Sequence, residues 1–337
     1  MQWNRRKWIR LLIVAGALGG MVWIVARLGP VRVLDVAARA DPVWLALSLL
    51  PVVARFLIWG HKWRRILRRQ STPVPYGRSL RILLSGSFVN LTTPTAKLAG
   101  GLLRAVLLRR HHGWGLDVAY GRSLADQATN AMGTVALYGV LAVGIWLQNP
   151  SGPHRTAFAV SGSMALTSVA VALALRGWAW NLVRSPRLGR LFERLTPSRL
   201  RERTGGGEPV VQTVLYPLLG ERPVSRTLLV DVIWAAISFA SICVANALVL
   251  RALGVDADPW VTSTAVVLGY FAGIAVGAWG GIGVTEAAIT VFYIQAGIPP
   301  EVATAGALLH RAGLYSVVLV WGGFSLLKEG RRKRAVD

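Results

Sequence analysis

The sequence predicts an all-α polytopic membrane protein, and three observations support this prediction. The chain has 337 residues, of which 53% are hydrophobic, and its mean hydropathy is +0.48. Only 15 residues are acidic. Apolar runs of bilayer length recur along the chain, and basic residues are concentrated between them. We therefore expect about six to eight membrane spans together with two broken or re-entrant helical hairpins.

The apolar runs define the predicted spans. The first run, residues 11–26, follows four basic residues and lacks a small-residue cleavage site, so we expect a retained span and not a signal peptide. Further runs, each near the ~20 residues that a span requires, occupy 43–60, 124–147, 157–175, 227–250, 261–278 and 306–327.

The distribution of Lys and Arg orients these spans. Four basic residues lie in 1–10, seven in 61–81, four in 104–122, ten in 176–226 and five in 328–334. The alternate connections carry few. The positive-inside rule therefore places the basic segments and both termini in the cytoplasm, and predicts a multi-pass protein of the cell inner membrane.

Composition also argues against several function classes. The net charge of +23 suggests nucleic acid, but the basic residues lie between apolar runs and not on one face of a soluble domain, so we expect no nucleic-acid binding. Cys243 is the single cysteine, and the pair His111-His112 has no nearby carboxylate. We expect no metal, no cofactor and, since no nucleophile–base or paired-carboxylate arrangement is visible, no enzyme activity.

Residues 82–103, ILLSGSFVNLTTPTAKLAGGLL, are flanked on both sides by basic, cytoplasmic sequence, so the segment must return to the side that it enters. Polar residues interrupt it, among them Asn90, Pro94 and Lys97. A helix facing lipid would not carry them, whereas a re-entrant hairpin buried in protein can. We therefore predict a cytoplasmic re-entrant hairpin.

Residues 261–297 must cross the membrane an even number of times, because the spans before and after them run in opposite directions. Gly280, Gly281 and Gly283 precede Glu286, and the helix that follows ends at Gly297 after about 12 residues, or ~18 Å. Half a membrane thickness favours a hairpin from the outer side over two full spans, although both satisfy the parity. Two broken segments entering from opposite sides indicate inverted repeats.

The motif GGIGVTEAA, followed by Gly297-Ile298, Ala303 and LLHRAGLY with Arg311, resembles the C-terminal signature of the flippase-like membrane family. This family includes the transmembrane region of lysylphosphatidylglycerol synthase. The upstream SFVNLTTPTAKLAGGLLRAVLLRR resembles its other signature. The likeness covers about residues 8–328, without the aminoacyltransferase domain of the synthases. Many members carry an acid shortly before the arginine that corresponds to Arg104, where this chain has Gly101 and Leu102, and Trp279 replaces a common proline.

The resemblance implies a lipid translocase acting on an anionic phospholipid or a polyprenyl-phosphate-linked lipid. The alternative is a non-transporting scaffold or accessory subunit for a glycosyltransferase or lipid-modifying enzyme. Residues expected to bind the headgroup belong to the two broken segments and the last span: Asn90, Pro94, Lys97, Gly100, Gly101, Arg104, Gly280, Gly281, Gly283, Glu286 and Arg311.

Ionisable residues within apolar runs are costly and usually functional, but each has a simpler interpretation. Glu286 and Arg311 are expected to pair. Arg122 and Asp126 are four residues apart, which suits a pair within one helix. Arg55, near the inner end of its predicted span, is expected to extend to the interface. Glycines at 269, 273, 277 and 281 indicate a close helix-packing seam.

The chain is predicted to form one integral membrane domain, residues 1–337. Its first half covers about 8–176 and its second about 227–328. The long polar connection between them, residues 177–226, is expected to be a cytoplasmic linker.

Overall fold

A computed structural model of the chain describes residues 30–68, 73–93, 98–148, 155–183, 225–276 and 281–331. The predicted first span, residues 11–26, most of the linker, and Pro94, Lys97 and Gly280 lie outside these ranges. The described helices are α1 Pro30–Ala38, α2 Pro42–Leu67, α3 Tyr76–Thr92, α4 Leu98–His112, α5 Leu116–Gln148, α6 Arg155–Val183, α7 Ser225–Ala252, α8 Pro259–Val276, α9 Val284–Gln295, α10 Pro300–Val317 and, after a π-helical turn at Val318–Gly322, α11 Gly323–Arg331.

The described residues contain helices and no strands, which confirms the all-α prediction. Within the described ranges, four helices are long and apolar enough to cross a bilayer: Pro42–Leu67, Leu116–Gln148, Arg226–Ala252 and the continuous Pro300–Gly330. Shorter apolar helices occupy Ala157–Ala172 and Pro259–Ile274. Helix α6 runs to Val183, beyond the boundary at 177 that the sequence suggested for the linker.

Helices α2 and α7 pack along their lengths as an antiparallel pair. At one end, the Asp41 N–H donates to Ala252 O at 2.8 Å, and the Asp41 side chain caps the first turn of α2. Near the middle, the Ser238 hydroxyl donates to Arg55 O at 3.1 Å. At the other end, Arg65 Nε lies 3.3 Å from Asp231 Oδ1. This pair joins the two halves of the chain.

Helices α3 and α4 form the first hairpin. Their lengths of 17 and 15 residues correspond to about 26 and 22 Å, which is less than the ~30 Å of a bilayer core. Glycines let the two helices approach closely, because a Cβ on Gly86 would lie 2.8 Å from Gly100 O. Two packed helices therefore cover the predicted hairpin over 82–103 and extend past both of its ends, while its re-entrance from the cytoplasmic side stays a prediction.

Helices α8 and α9 pack together as the second hairpin. Their short lengths favour a hairpin over two full spans for residues 261–297. Helix α9 has only 12 residues and ends at Gln295, two residues before Gly297, whose φ is +85°. The predicted glycine seam lies between the two helices: Gly269 faces Ile289 of α9, and Gly273 faces Thr285 and Gly281. Gly277 of the same pattern lies outside the described residues.

Each hairpin packs against a long helix of the opposite half. Helix α3 lies antiparallel to α10–α11, with Gly322 close to Leu84 O and Gly323 close to Phe88. Helix α8 lies antiparallel to α5, with Trp260 against Gly144 and Tyr138 6.0 Å from Phe271 between ring centroids. The order long helix, hairpin, long helix occurs in α2–α5 and again in α7–α11. This repeated order agrees with the inverted repeats that the sequence predicts.

Candidate functional site

The Asp126 carboxylate is the centre of a buried polar cluster between α2, α4 and α5. Lys62 Nζ lies 2.9 Å from Oδ1, and Arg104 Nη1 lies 2.9 Å from Oδ2. Trp59 Nε1 donates to the same carboxylate at 3.0 Å. Lys62 and Asp126 are fully buried, and Arg104 is 1% exposed. One carboxylate therefore faces two cations in the protein interior, and the cluster keeps an excess positive charge.

The two cations of this cluster are held by more than their shared acid. Lys62 Nζ also donates to Thr129 Oγ1 at 2.8 Å and to Asn130 Oδ1 at 2.7 Å. The Arg104 guanidinium carbon lies 5.2 Å from the Trp59 ring centroid and 5.5 Å from that of Trp63. Aromatic faces attract a guanidinium most strongly where water is excluded. Both cations are thus fixed in position.

Arg104 lacks the preceding acid that the family resemblance led us to expect, and its position shows which acid balances its charge. Gly101 faces α5, where an added Cβ would lie 2.9 Å from Gln127 Nε2 and 3.3 Å from Ser123 Oγ. A carboxylate side chain there would require the Gln127 side chain to move. Asp126 of α5 supplies the countercharge for Arg104 instead.

Asn90 and Gly100 meet near the tip of the first hairpin. The Gly100 N–H, in the first turn of α4, donates to Asn90 Oδ1 at 2.8 Å. Backbone N–H groups in the first turn of a helix have no partner within that helix. The side chain of α3 therefore caps α4, and it ties the two halves of the hairpin together. Pro94 and Lys97, between them, lie outside the described residues.

Glu286 and Arg311 form the second buried ion pair. Arg311 Nε donates to Glu286 Oε1 at 2.7 Å, and the two side chains are 4% and 5% exposed. Arg311 also donates to the Tyr315 hydroxyl, and its guanidinium carbon lies 5.1 Å from the Tyr270 ring centroid. The pairing expected from the sequence is present, and it joins α9 to α10.

Glu286 also explains the glycines that precede α9. Its second oxygen, Oε2, accepts a hydrogen bond of 2.7 Å from the Gly283 N–H. Gly281 and Gly283 have φ values of +78° and +82°, which L side chains rarely adopt. A Cβ on Gly281 would lie 2.7 Å from Thr285 Oγ1 and 2.9 Å from Gly273 Cα. The glycines therefore permit a sharp turn, and the carboxylate satisfies its backbone.

The two ion pairs occupy matching places in the two halves, with their charges exchanged. In the first half the cation Arg104 is on the second hairpin helix, and the acid Asp126 is on the long helix that follows. In the second half the acid Glu286 is on the second hairpin helix, and the cation Arg311 is on the following long helix. Each hairpin is therefore tied by one ion pair to the next helix.

Sequence reasoning found Glu286, Arg311 and Asn90 but missed the role of Lys62 and Trp59. Lys62 lies in the run WGHKWRRILRR, which reads as a basic cytoplasmic segment. Helix α2 continues through that run to Leu67, so Lys62 is buried against α5. The available signal was spacing: Trp59, Lys62 and Ile66 follow each other at three and four residues, as one face of a continuing helix would.

Arg55 is also placed differently from the sequence expectation. It lies 13 residues after Pro42 and 12 before Leu67, about 20 and 18 Å from the two ends of α2. Arg55 is therefore near the middle of the helix. Its guanidinium carbon lies 5.5 to 5.9 Å from the ring centroids of Phe56, Trp59 and Phe239. The expectation that Arg55 extends to the interface was wrong, because its Nε and Nη1 atoms are buried beside these rings inside the bundle.

Comparison with known proteins shows which family the sequence matches and which proteins are similar to it. The family model described as the lysylphosphatidylglycerol synthase TM region matches residues 7–322. A UPF0104 membrane protein of Methanothermobacter thermautotrophicus is 26% identical over 318 residues, covering 89% of each chain. A UPF0104 membrane protein of Pyrococcus horikoshii is 22% identical over 315 residues, covering 88% of this chain and 90% of the relative.

Proposed function

The chain belongs to the family of the lysylphosphatidylglycerol synthase transmembrane region, and from this premise we propose that it is a lipid translocase. Its substrate is an anionic phospholipid or a polyprenyl-phosphate-linked lipid, which it moves between the two leaflets. The headgroup passes through the polar interior between the hairpins, while the acyl or prenyl chains stay in the surrounding lipid.

The excess of buried positive charge carries this proposal. Asp126 faces two cations, Lys62 and Arg104, while Glu286 faces Arg311. Ionisable groups inside a bilayer cost about 2.5–3.5 kcal/mol each on insertion scales, so a surplus cation is retained only where it has a use. A phosphate group that enters this interior meets a compensating charge. A neutral headgroup does not.

The hairpins supply a second argument, which concerns the path. Both end in short helices whose N-terminal N–H groups, around Gly100 and Gly283, are bound by side chains of the protein. Such groups are ready donors for an anion when the side chain moves away. The outer surfaces of the same bundle are apolar, with Leu50, Val140, Ile233 and Phe324 among the exposed side chains. Polar groups are thus turned inward, toward a headgroup path.

Reconstitution in liposomes tests the proposal directly. Purified protein is placed in phosphatidylcholine vesicles with trace fluorescent phosphatidylglycerol or a fluorescent neutral glycolipid, and an impermeant quencher reports which leaflet each probe occupies. We expect the protein to accelerate exchange of the anionic probe over protein-free vesicles and over the neutral probe. Equal rates with and without correctly inserted protein would contradict a translocase.

That negative result would favour the scaffold interpretation, for which one observation speaks. Arg109 and Arg110 are exposed at the end of α4, on the side that the basic-residue counts place in the cytoplasm. A scaffold would present such a surface to a glycosyltransferase or lipid-modifying enzyme. Charge removal at Arg109 and Arg110 would then abolish enzyme recruitment, whereas a translocase would keep its transport rate.

A further inference from the structure

Three polar side chains near the middle of the bundle have no hydrogen-bond partner among the described residues. They are Arg55 on α2, through Nε and Nη1, Tyr270 on α8, through its hydroxyl, and His310 on α10, through both ring nitrogens. His310 is 2% exposed. Buried polar groups are nearly always satisfied, so a group of three orphans calls for an occupant.

These three side chains are neighbours. The rings of Tyr270 and His310 are 6.4 Å apart between centroids. Phe239 connects the cluster to α2, since its ring lies 5.5 Å from the Arg55 guanidinium carbon and 5.2 Å from the Tyr270 ring. Four helices, α2, α7, α8 and α10, therefore converge on one polar cluster.

The charge of this cluster is positive. Arg311 is next to it, with its guanidinium carbon 5.1 Å from the Tyr270 ring, but its charge is balanced by Glu286. Within the part of the chain that the structure describes, no carboxylate forms an ion pair with Arg55. Three aromatic faces stabilise the Arg55 guanidinium only in part, since each contact is worth about 0.5–2 kcal/mol. The Arg55 charge therefore still lacks a countercharge, which a bound anion would supply.

The kinds of donor indicate which anion. A guanidinium offers a planar fork of N–H groups, a phenol offers one O–H, and a neutral imidazole offers one N–H. Arg binds phosphate oxygens in this way, with two parallel hydrogen bonds. We propose that Arg55, Tyr270 and His310 form a binding site for a phosphate oxyanion at the middle of the membrane.

The source of the phosphate rests on the proposed function: a translocase would bring the phosphate of a lipid headgroup to this site. Free inorganic phosphate has the same chemistry. The site is distinct from the two ion pairs, because it involves neither Asp126 nor Glu286. Arg55 lies about 18 to 20 Å from the ends of α2, so a headgroup bound to it would be about midway along that helix.

Ligand-dependent thermal stability of the purified protein in dodecyl maltoside tests the site without transport. The probes are short-chain phosphatidylglycerol, inorganic phosphate and, as neutral control, short-chain diacylglycerol. We expect phosphatidylglycerol to raise the Tm of the parent protein and diacylglycerol to leave it unchanged. A rise with inorganic phosphate as well would show a site for the free anion, whereas a rise with the lipid alone would show a site for the headgroup. No rise with either phosphate compound would overturn the proposal and leave ordered water as the occupant.

Three variants identify the residues. Arg55→Gln should weaken phosphatidylglycerol binding at least tenfold, which corresponds to the loss of one charge-assisted contact of about 1.4 kcal/mol. Its Tm without ligand should not fall, because an uncompensated charge has been removed. Tyr270→Phe keeps the ring contacts and should weaken binding several-fold, so it tests the site if Arg55→Gln does not fold. Arg251→Gln, which removes an exposed arginine at the end of α7, is the control and should bind as the parent does.

The outcomes separate this site from the proposed function. If Arg55→Gln and Tyr270→Phe both bind phosphatidylglycerol with the parent Kd, the site is overturned even if the protein moves lipid. If the parent binds phosphatidylglycerol through Arg55 but moves no lipid in vesicles, the site stands and the translocase proposal fails.

Discussion

Arg104 and Asp126 are joined by a contact of 2.9 Å that links the first hairpin to the helix after it. The corresponding contact in the second half, between Glu286 and Arg311, is 2.7 Å long with the charges exchanged. Each hairpin is thus held in place by an ion pair with the long helix that follows it. Breaking either contact leaves a charge in the protein interior, and the cost of that charge is measurable.

The second ion pair should show rescue by a double substitution. Glu286→Gln leaves Arg311 without its countercharge, and loss of one partner of a buried pair costs about 3–5 kcal/mol. Arg311→Gln added to Glu286→Gln should restore part of this loss, because it removes the orphaned charge. Thermal unfolding of the purified protein measures both. Glu301→Gln, in the first turn of α10 and without a described ion pair, is the control and should have little effect. A double variant no more stable than Glu286→Gln would contradict the pairing.

The first ion pair should be more sensitive at the acid than at either cation. Asp126→Asn leaves both Lys62 and Arg104 uncompensated, whereas Arg104→Gln still leaves Lys62 on the carboxylate. We therefore expect Asp126→Asn to lower the free energy of unfolding by about 1–3 kcal/mol more than Arg104→Gln does, and to lower the Tm further. Lys62→Met in the Asp126→Asn background should recover part of it. Equal destabilisation by Asp126→Asn and Arg104→Gln would show that the two cations do not share the acid.

Gly281, in the turn before α9, should be sensitive to an added side chain for two reasons: its positive φ and the lack of room around it. Gly281→Ala places a Cβ 2.7 Å from Thr285 Oγ1 at a φ of +78°. Gly254→Ala meets nothing within 4 Å at the similar φ of +75°. Both variants should lose about 1 kcal/mol from left-handed strain, and Gly281→Ala about 1–3 kcal/mol more from overpacking. Thermal unfolding compares them, and equal losses would show that the hairpin tip adapts freely.

Cysteine accessibility should report the predicted orientation. Single cysteines at Ser71, Ser151, Ser198 and Asp256 in a Cys243→Ser background are labelled in intact cells with an impermeant maleimide. The basic-residue counts predict labelling at Ser151 and Asp256 and protection at Ser71 and Ser198. Cys243 is a buried free cysteine, and the Cys243→Ser substitution ensures that any labelling comes from the introduced cysteine. Labelling of Ser71 or Ser198 from outside would reverse the orientation.

Much of this fold was predictable because a bilayer restricts the choices. Run length, glycine position and the parity of basic loops indicated both hairpins, and the isolated carboxylate Glu286 could be matched to Arg311. The Asp126 cluster was not predictable, since Lys62 and Arg104 also resemble interfacial anchors in a basic segment. Their burial depends on how far α2 continues and on which helices pack together. The spacing of Trp59, Lys62 and Ile66 is a local signal that α2 continues, but the helices against which this face packs are set by tertiary structure.

The π-helical turn at Val318–Gly322 determines which way the two ends of the last helix point. Arg311 and Glu329 are 18 positions apart, or five full turns of a regular α-helix, and would project in the same direction in an uninterrupted one. A π turn contains one residue more than an α turn, so it changes their relative direction by roughly the 100° of a single residue. Arg311 therefore contacts Glu286 of the second hairpin, while Glu329 contacts Arg81 and His111 of the first. The additional residue in the π turn therefore lets the two ends of one helix face in different directions, so that each end contacts a different hairpin.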